Sequence, residues 1–246
     1  MGTCNVRQLV VLDTKKHRNC QLLKNDLSHS KDLHICLIFL PEFLHIARTC
    51  PIIFTRSKET GKLESCALLG VNPGKNLFWQ EGQWQGDYIP VSVRSYPFYL
   101  KYNQDDFSSA YVCVDSSQLF VGENGSQGIN LFEHNGEPSK YLLEAQRRLE
   151  DIHLQKLEIW KFVGLLQQLN LLQEQEINID LPGGVKHKFK GVYCVSEERL
   201  AKLKSKDFLR LRDSGYLPFI YAHLFSLQQS KTLSALHKKN HSKIIH

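Results

Sequence analysis

The chain has 246 residues, of which 42% are hydrophobic and 23% are charged, a composition typical of a globular protein that buries its own core. Its formal net charge is +6, and four of the positive charges are lysines in the acid-free tail that starts at Lys231. Because the rest of the chain is nearly balanced, the charge argues against a nucleic-acid-binding protein.

Cysteine usage and hydropathy bear on the compartment. The seven cysteines are irregularly spaced and form no Cys-x-x-Cys motif, a pattern typical of buried free thiols in a reducing compartment. The longest apolar run, Ile35–Leu40, has six residues, whereas a transmembrane helix needs about 20. The N-terminus shows no secretory signal pattern. We therefore expect a cytoplasmic protein that spans no membrane.

The first part of the chain, residues 1–120, predicts short strands with brief helices between them. Residues 13–32 are polar and are predicted to be irregular. Pro41 begins a helix that Pro51 ends, and its polar face carries Glu42, His45 and Thr49. The predicted strands cover residues 5–12, 35–40, 52–56, 63–70, 76–79, 98–102 and 110–115, and the predicted helical turns cover 41–50 and 89–95.

The second part predicts helices around one β-hairpin. A glycine-rich loop at 121–137 precedes apolar residues spaced alternately by three and four, which predict one long helix over 138–172. Strands at 177–181 and 186–195 form the hairpin, and it either extends the first sheet or forms a second one. Ser196 caps the helix that follows, and the helical pattern continues to about Leu236 with a break at Ser214-Gly215.

Together these elements predict an α+β fold. An antiparallel sheet built from residues 5–115 would pack against the long helix and the C-terminal helices. We expect one compact domain, in which region 1–120, loop 121–137 and the helical region 138–236 with its hairpin at 177–195 are followed by a basic tail at 237–246.

Motifs that carry chemistry are sparse. Walker A, GxGxxG and GxSxG patterns do not occur, so no cofactor is predicted. Two Glu-x-x-His pairs, Glu42/His45 and Glu150/His153, have the spacing used by di-iron carboxylate bundles. The first pair lies on a short helix that follows a strand, so we expect both pairs to lie on solvated faces and predict no metal site.

Two cysteine–histidine pairs could supply a nucleophile and a base. They are Cys50 with His45 and Cys194 with His187, and each would need a third group to orient the base. No such group lies nearby in the sequence. Buried structural cysteines are therefore the preferred interpretation.

The candidate binding residues lie in two aromatic-rich blocks. In the first block, Trp84–Phe98, Arg94 lies among Trp84, Tyr88 and Tyr96. The Arg94 guanidinium could bind an anion, because its planar fork of donors suits a carboxylate or phosphate. It could instead pack on the aromatic rings inside the fold, and this second interpretation is favoured.

The second block covers residues 214–227. It contributes Tyr221 and His223 to the candidate binding residues, and Phe219, His223 and Leu227 share one helical face. A histidine on such an aromatic face is typical of the core, although a ligand-binding role stays open.

Both blocks resemble the SapC family of bacterial proteins, and the resemblance covers roughly residues 5–230. The family takes its name from a surface-layer gene locus, so the resemblance implies a link to the surface layer or cell envelope and supplies no catalytic residues. The matching residues are Glu42, Ala47 and Pro51–Phe54, then Ala67–Gly70 and Asn76–Phe78, then Trp84, Tyr88–Pro90, Arg94 and Tyr96–Phe98, then Leu131–Phe132 and Gly136–Pro138, and finally Gly191, Tyr193, Val195, Glu198, Leu200, Ser214–Gly215, Ile220–Leu224 and Ser226–Leu227.

Two functions follow as expectations. The first is a non-enzymatic binding or accessory protein with an unknown protein partner, linked to the surface layer or cell envelope. The alternative is a cytosolic enzyme, or a subunit associated with an enzyme, with a ligand pocket at the Arg94 block. The peptide-transport permease that shares the family's label is unrelated, and the missing membrane span separates it from this chain.

Overall fold

The computed structural model describes residues 8–58, 60–103, 110–121, 128–181 and 186–242. The chain divides into two compact units: unit 1 is Met1–Ser28 with Val91–Leu154, and unit 2 is His29–Pro90 with Gln155–His246. Parts of the predicted loop at 121–137 and of the predicted tail, and the tip of the predicted hairpin, lie outside the described residues. The predicted organisation as one domain stays a prediction.

Short strands are spread along the described chain. Most have three to six residues, and the two strands of the last hairpin are longer. In chain order they are β1 (Leu9–Val11), β2 (Cys20–Leu22), β3 (Ile35–Leu37), β4 (Ile52–Arg56), β5 (Leu63–Leu68), β6 (Trp79–Gln80), β7 (Gln83–Trp84), β8 (Phe98–Tyr102), β9 (Ala110–Asp115), β10 (Leu119–Val121), β11 (Ile129–Asn130), β12 (Leu172–Asp180) and β13 (Lys186–Val195).

Helices dominate the second half. The long predicted helix is α4, with 29 residues, which correspond to a length of about 44 Å. In chain order the helices are α1 (Thr14–His17), α2 (Phe43–Ile46), α3 (Val91–Arg94), α4 (Lys140–Gln168), α5 (Glu197–Ala201), α6 (Ser205–Asp213), α7 (Leu217–Ser226) and α8 (Ser230–Ser242), and a 3-10 turn at Leu40–Glu42 leads into α2. None of the helices within the described residues is long and apolar enough to cross a lipid bilayer.

Unit 1 contains two antiparallel sheets, with strand orders β1-β9-β8 and β10-β2-β11. The predicted strand pair at 98–102 and 110–115 is confirmed, with Phe98 opposite Val114. The segment 13–32 is more regular than predicted. Asp13 caps α1 by accepting hydrogen bonds from the backbone of Lys15 and Lys16, and β2 gains its partners from strands about 100 residues later in the chain.

Unit 2 is built on a five-stranded antiparallel sheet with the order β12-β13-β4-β5-β3. Every residue of β5 is buried. The hairpin of β12 and β13 joins β4 through two residue pairs, Val192 with Thr55 and Tyr193 with Phe54, so it extends the sheet that contains β4 and β5. The strands of residues 5–115 therefore do not form one sheet. They divide between the two units, because β8 and β9 pair with β1 and not with β3–β5.

Aromatic rings fill the core of unit 2 where α4 meets the sheet. Phe162 is fully buried, and its ring centroid lies 6.1 Å from that of Phe43, 6.2 Å from that of Phe54 and 5.0 Å from that of Tyr216. Each such pair contributes about 0.5–1.5 kcal/mol beyond the burial of its area. The rings thus tie α4 to the sheet and to the start of α7.

Local signals correctly marked the start of α5 and the break between α6 and α7. Ser196 caps α5, since its hydroxyl accepts from the backbone N–H of Arg199. Gly215 separates α6 from α7 at a φ of +71°, a left-handed conformation that glycine adopts without strain. α8 differs from the expectation, because it continues beyond Leu236 to Ser242. The α+β prediction, with antiparallel sheets and a long helix, is confirmed.

Candidate binding surfaces

The first aromatic block is divided at Pro90, so its candidate residues belong to different units. In unit 1, Arg94 ends α3 and is exposed. Its backbone carbonyl accepts a hydrogen bond from Arg148 Nη1 at 3.4 Å. Tyr96 is buried, and its hydroxyl donates to Asp115 Oδ2 at 3.4 Å. Tyr96 therefore has a structural partner of its own.

In unit 2, the other half of the block closes over the start of α2. The Tyr88 hydroxyl donates to Glu42 Oε1 at 3.1 Å, and the other oxygen of Glu42 accepts from the backbone N–H of Phe39 at 2.9 Å. The ring of His45 stacks on Tyr88 with centroids 4.9 Å apart, and Trp84 Nε1 donates to the Tyr88 carbonyl at 3.1 Å. We call Glu42, His45, Trp84 and Tyr88 the tyrosine clasp.

The clasp corrects the expectation for the first Glu-x-x-His pair. Glu42 was predicted on a solvated face, yet it is only 3% exposed, because its carboxylate caps the turn and receives the phenol. Glu150, of the second pair, is exposed in unit 1. Among the residues the structure describes, no group of three or more His, Cys, Asp or Glu side chains is arranged to hold a metal ion.

We expect the Tyr88 hydroxyl of the clasp to contribute modestly to stability. Tyr88→Phe removes the hydrogen bond to Glu42 and leaves the ring in place, so we expect the free energy of unfolding to fall by about 1 kcal/mol. Urea unfolding followed by tryptophan fluorescence measures this change. Tyr221→Phe is the matched control, because Tyr221 is 53% exposed and should change little. Equal effects of the two variants would contradict the role of the clasp.

His223 lies in the core of unit 2 and is fully buried. The backbone N–H of Val195 donates to its Nε2 at 3.0 Å, so Nδ1 carries the proton and donates to the Ile52 carbonyl, also at 3.0 Å. Ser226, one turn later, accepts from the Ile52 N–H at 2.8 Å. Burial lowers the pKa of His223 to about 4. Both ring nitrogens are thus engaged, and the imidazole is neutral at pH 7.

These hydrogen bonds satisfy backbone groups of β4 and β13 beyond the point where the two strands stop pairing. The two strands pair only at Thr55 and Phe54, and at Ile52 the side chains of α7 replace the missing strand partner. Buried backbone groups need such partners, since an unpaired one costs about 1–3 kcal/mol. In this geometry His223 of α7 bridges β13 and β4 through its two hydrogen bonds.

The cysteines that were considered as nucleophiles are buried. Burial raises the pKa of both Cys50 and Cys194 to about 12, so each stays a protonated, weakly nucleophilic thiol at neutral pH. The six cysteines within the described residues form no disulfide bond, and Cys4 lies outside those residues. The geometry agrees with the preferred interpretation of these two cysteines as structural.

Tyr221 belongs to a different surface, an open cavity of about 610 Å³ between α5, α6 and α7. Three of its aromatic side chains are exposed: Phe208 by 36%, Tyr221 by 53% and Phe225 by 56%. We call this cavity the aromatic groove. Leu200, Leu203 and Leu224 also line it, with Ala201, Glu197 and Gln228.

Periodicity explains why the groove has an apolar wall. Tyr221 and Phe225 are four residues apart and share one face of α7, whereas Ile220, His223 and Ser226 are buried on the other side. α7 is therefore apolar around its circumference, a pattern that predicts burial on all sides. Of the three exposed aromatic residues, Tyr221 is among the predicted binding residues, whereas Phe208 and Phe225 are not. The signal that could have found them was this excess of apolar residues on α7.

The chain beside the groove is basic. Residues 202–213 contain the five cations Lys202, Lys204, Lys206, Arg210 and Arg212 and the two acids Asp207 and Asp213, a net charge of +3. Arg210 is an ion-pair partner of Asp207, and Lys204 and Lys206 are exposed. A partner with acidic residues would be attracted to this flank.

Comparison with known proteins identifies one family. The model of the SapC family matches residues 12–233, which is most of the chain. No curated protein and no solved structure shows a significant match to this chain.

Proposed function

The chain belongs to the SapC family, and we propose that it is a non-enzymatic accessory protein of the surface layer or cell envelope that binds a partner protein through the aromatic groove. The observation that carries this proposal is the exposure of three aromatic side chains around one cavity. The link to the surface layer and envelope is supported by the family's name alone.

Exposed aromatic clusters of this kind are a feature of interaction surfaces. Soluble proteins rarely leave large contiguous apolar patches in water unless something binds there. Burying an aromatic side chain that is half exposed contributes about 1–2 kcal/mol. Phe208, Tyr221 and Phe225 together could therefore supply the central contacts of an interface.

The shape and charge of the groove indicate the kind of partner. A cleft between helices that is lined by leucine and aromatic side chains suits the apolar face of an amphipathic helix. The net charge of +3 beside it favours acidic residues on the flanks of that helix. We therefore propose a helical partner segment with an apolar face and acidic flanks.

Site-specific crosslinking in the native host tests this proposal. A photo-crosslinking residue at Phe225 should capture a partner that the same residue at Leu44 does not. Leu44 is the matched control, because it is an exposed apolar residue of another helix in unit 2, with 59% exposure against 56%. A synthetic helix from the captured partner should then bind the purified chain.

Variants of the purified chain decide whether the groove is responsible. We expect Phe225→Asp to weaken binding of that helix by at least about tenfold, and Leu44→Asp to leave it unchanged. The double variant K204E/K206E should weaken binding mainly at low salt, where charges are least screened. Equal loss with the Leu44 variant, or no loss with the Phe225 variant, would overturn the proposal.

A further inference from the structure

We propose that unit 2 has a second site, independent of the groove, that binds a doubly charged oxyanion of the phosphate type. The site is a cavity of about 340 Å³ between the turn end of the β4–β5 hairpin and α4. We call it the anion cavity. Its polar and aromatic lining consists of Arg56, Lys62, Trp160 and Gln167, and Gly61, Leu63 and Val163 complete it.

Arg56 is held in place at the cavity. It is the last residue of β4, and its Nη1 donates to the carbonyl of Gly61 at 2.7 Å across the hairpin turn. Its guanidinium also lies 6.0 Å from the centroid of the Tyr193 ring. A guanidinium carries five N–H donors, so the bond to Gly61 orients the fork and leaves further donors for a ligand.

Lys62 is the second cation of the cavity. Its Nζ lies 3.8 Å from the centroid of the Trp160 ring, a cation–π contact that restrains the long side chain. Restraint matters for affinity, because ordering a flexible side chain on binding costs about 0.5–1.5 kcal/mol. Two oriented cations therefore meet at one cavity before a ligand arrives.

The charged side chains of the described lining are both positive. Among the described residues, the lining contains Arg56 and Lys62 and no acid. The ammonium of Lys156, which lies 5.6 Å from the centroid of the Trp160 ring, is paired with the carboxylate of Glu64 at 3.1 Å, so this buried pair adds little net charge. Between Arg56 and Lys62 the sequence also contains Lys58 and Glu59, whose formal charges offset each other.

A phosphate group matches this donor set best. At neutral pH it carries a charge of about −1.5 to −2 and three acceptor oxygens, which complements two cations. A guanidinium fork can bond two of those oxygens while a lysine acts as a point charge on a third. The amide of Gln167 can donate a further hydrogen bond.

Equilibrium dialysis of the full chain against radiolabelled inorganic phosphate tests the site. At about pH 8, where phosphate is mainly dianionic, and at constant ionic strength, we expect saturable binding of one phosphate per chain. Arg56→Gln and Lys62→Met should each weaken binding by about tenfold or more. Lys58→Met is the matched control, since it removes a charge from the same turn outside the lining, and it should retain the affinity of the unmodified chain.

Competition experiments distinguish phosphate from related ligands. Phosphoserine should compete with phosphate, which would support a site for phosphate groups on larger molecules, and succinate should compete poorly. Tighter binding of succinate would overturn the assignment in favour of a dicarboxylate. Equal losses in the Lys58 and Lys62 variants, or no saturable binding at about 10 mM phosphate, would overturn the site itself.

Discussion

Replacing Lys156 by methionine is expected to lower the free energy of unfolding by about 3–5 kcal/mol. Lys156 and Glu64 are 9% and 8% exposed, and the two charged groups lie 3.1 Å apart between α4 and β5. The variant leaves the Glu64 carboxylate buried without its counter-charge. Urea unfolding followed by tryptophan fluorescence measures the loss in the relevant unit, since Trp79, Trp84 and Trp160 all belong to unit 2.

A double variant tests whether the loss of stability comes from the unpaired charge that Lys156→Met leaves buried. E64L/K156M removes both charges and fills the space with apolar side chains, so it should recover most of the lost stability. Lys202→Met is the matched control for an exposed pair, because Lys202 and Glu198 have side chains 73% and 76% exposed, and it should cost no more than about 1 kcal/mol. A double variant as unstable as Lys156→Met would contradict this account.

Acidification from pH 7 to pH 4 is expected to remove about 3 kcal/mol of stability through His223 alone. Its pKa is about 4 in the folded protein, against an ordinary value of 6.5, and each unit of difference is worth about 1.36 kcal/mol. Between about pH 6.5 and pH 4, the His223 imidazole is protonated in the unfolded chain and neutral in the folded protein. Stability therefore falls as the pH drops from about 6.5 to 4 and levels off below that range.

Two measurements isolate this effect from other acid-sensitive groups. Glu158 also loses stabilisation in acid, because its hydrogen bond from Tyr216 lowers its pKa. His223→Gln should be less stable at pH 7, and its stability should depend less on pH by about 3 kcal/mol. In the unmodified chain, the NMR signal of the His223 ring should not titrate above about pH 5. Titration near pH 6.5 would contradict the buried, bridged imidazole.

The binding surfaces show where sequence reasoning stops. Tyr221 was chosen from an aromatic-rich block, and it does line the groove. Phe208 and Phe225 were not chosen, because apolar residues on a helix ordinarily predict burial. Which apolar face stays uncovered depends on how α5, α6 and α7 pack, and no local pattern contains that information.

Local patterns determined those elements whose cause lies within a few residues. Spacings of three and four residues predicted α4, alternation predicted the pair β8 and β9, and Ser196 and Gly215 marked helix ends. Each of these signals acts between neighbours in the chain, through side-chain periodicity or backbone conformation.

The tertiary structure decided everything that depends on a distant partner. Glu42 is buried because the hydroxyl of Tyr88, 46 residues later, completes its hydrogen bonding. His223 is a bridge because the carbonyl of Ile52 lies beside it, 171 residues away in the chain. The cost of burying a polar group depends on whether a partner is present, and folding alone brings such partners together.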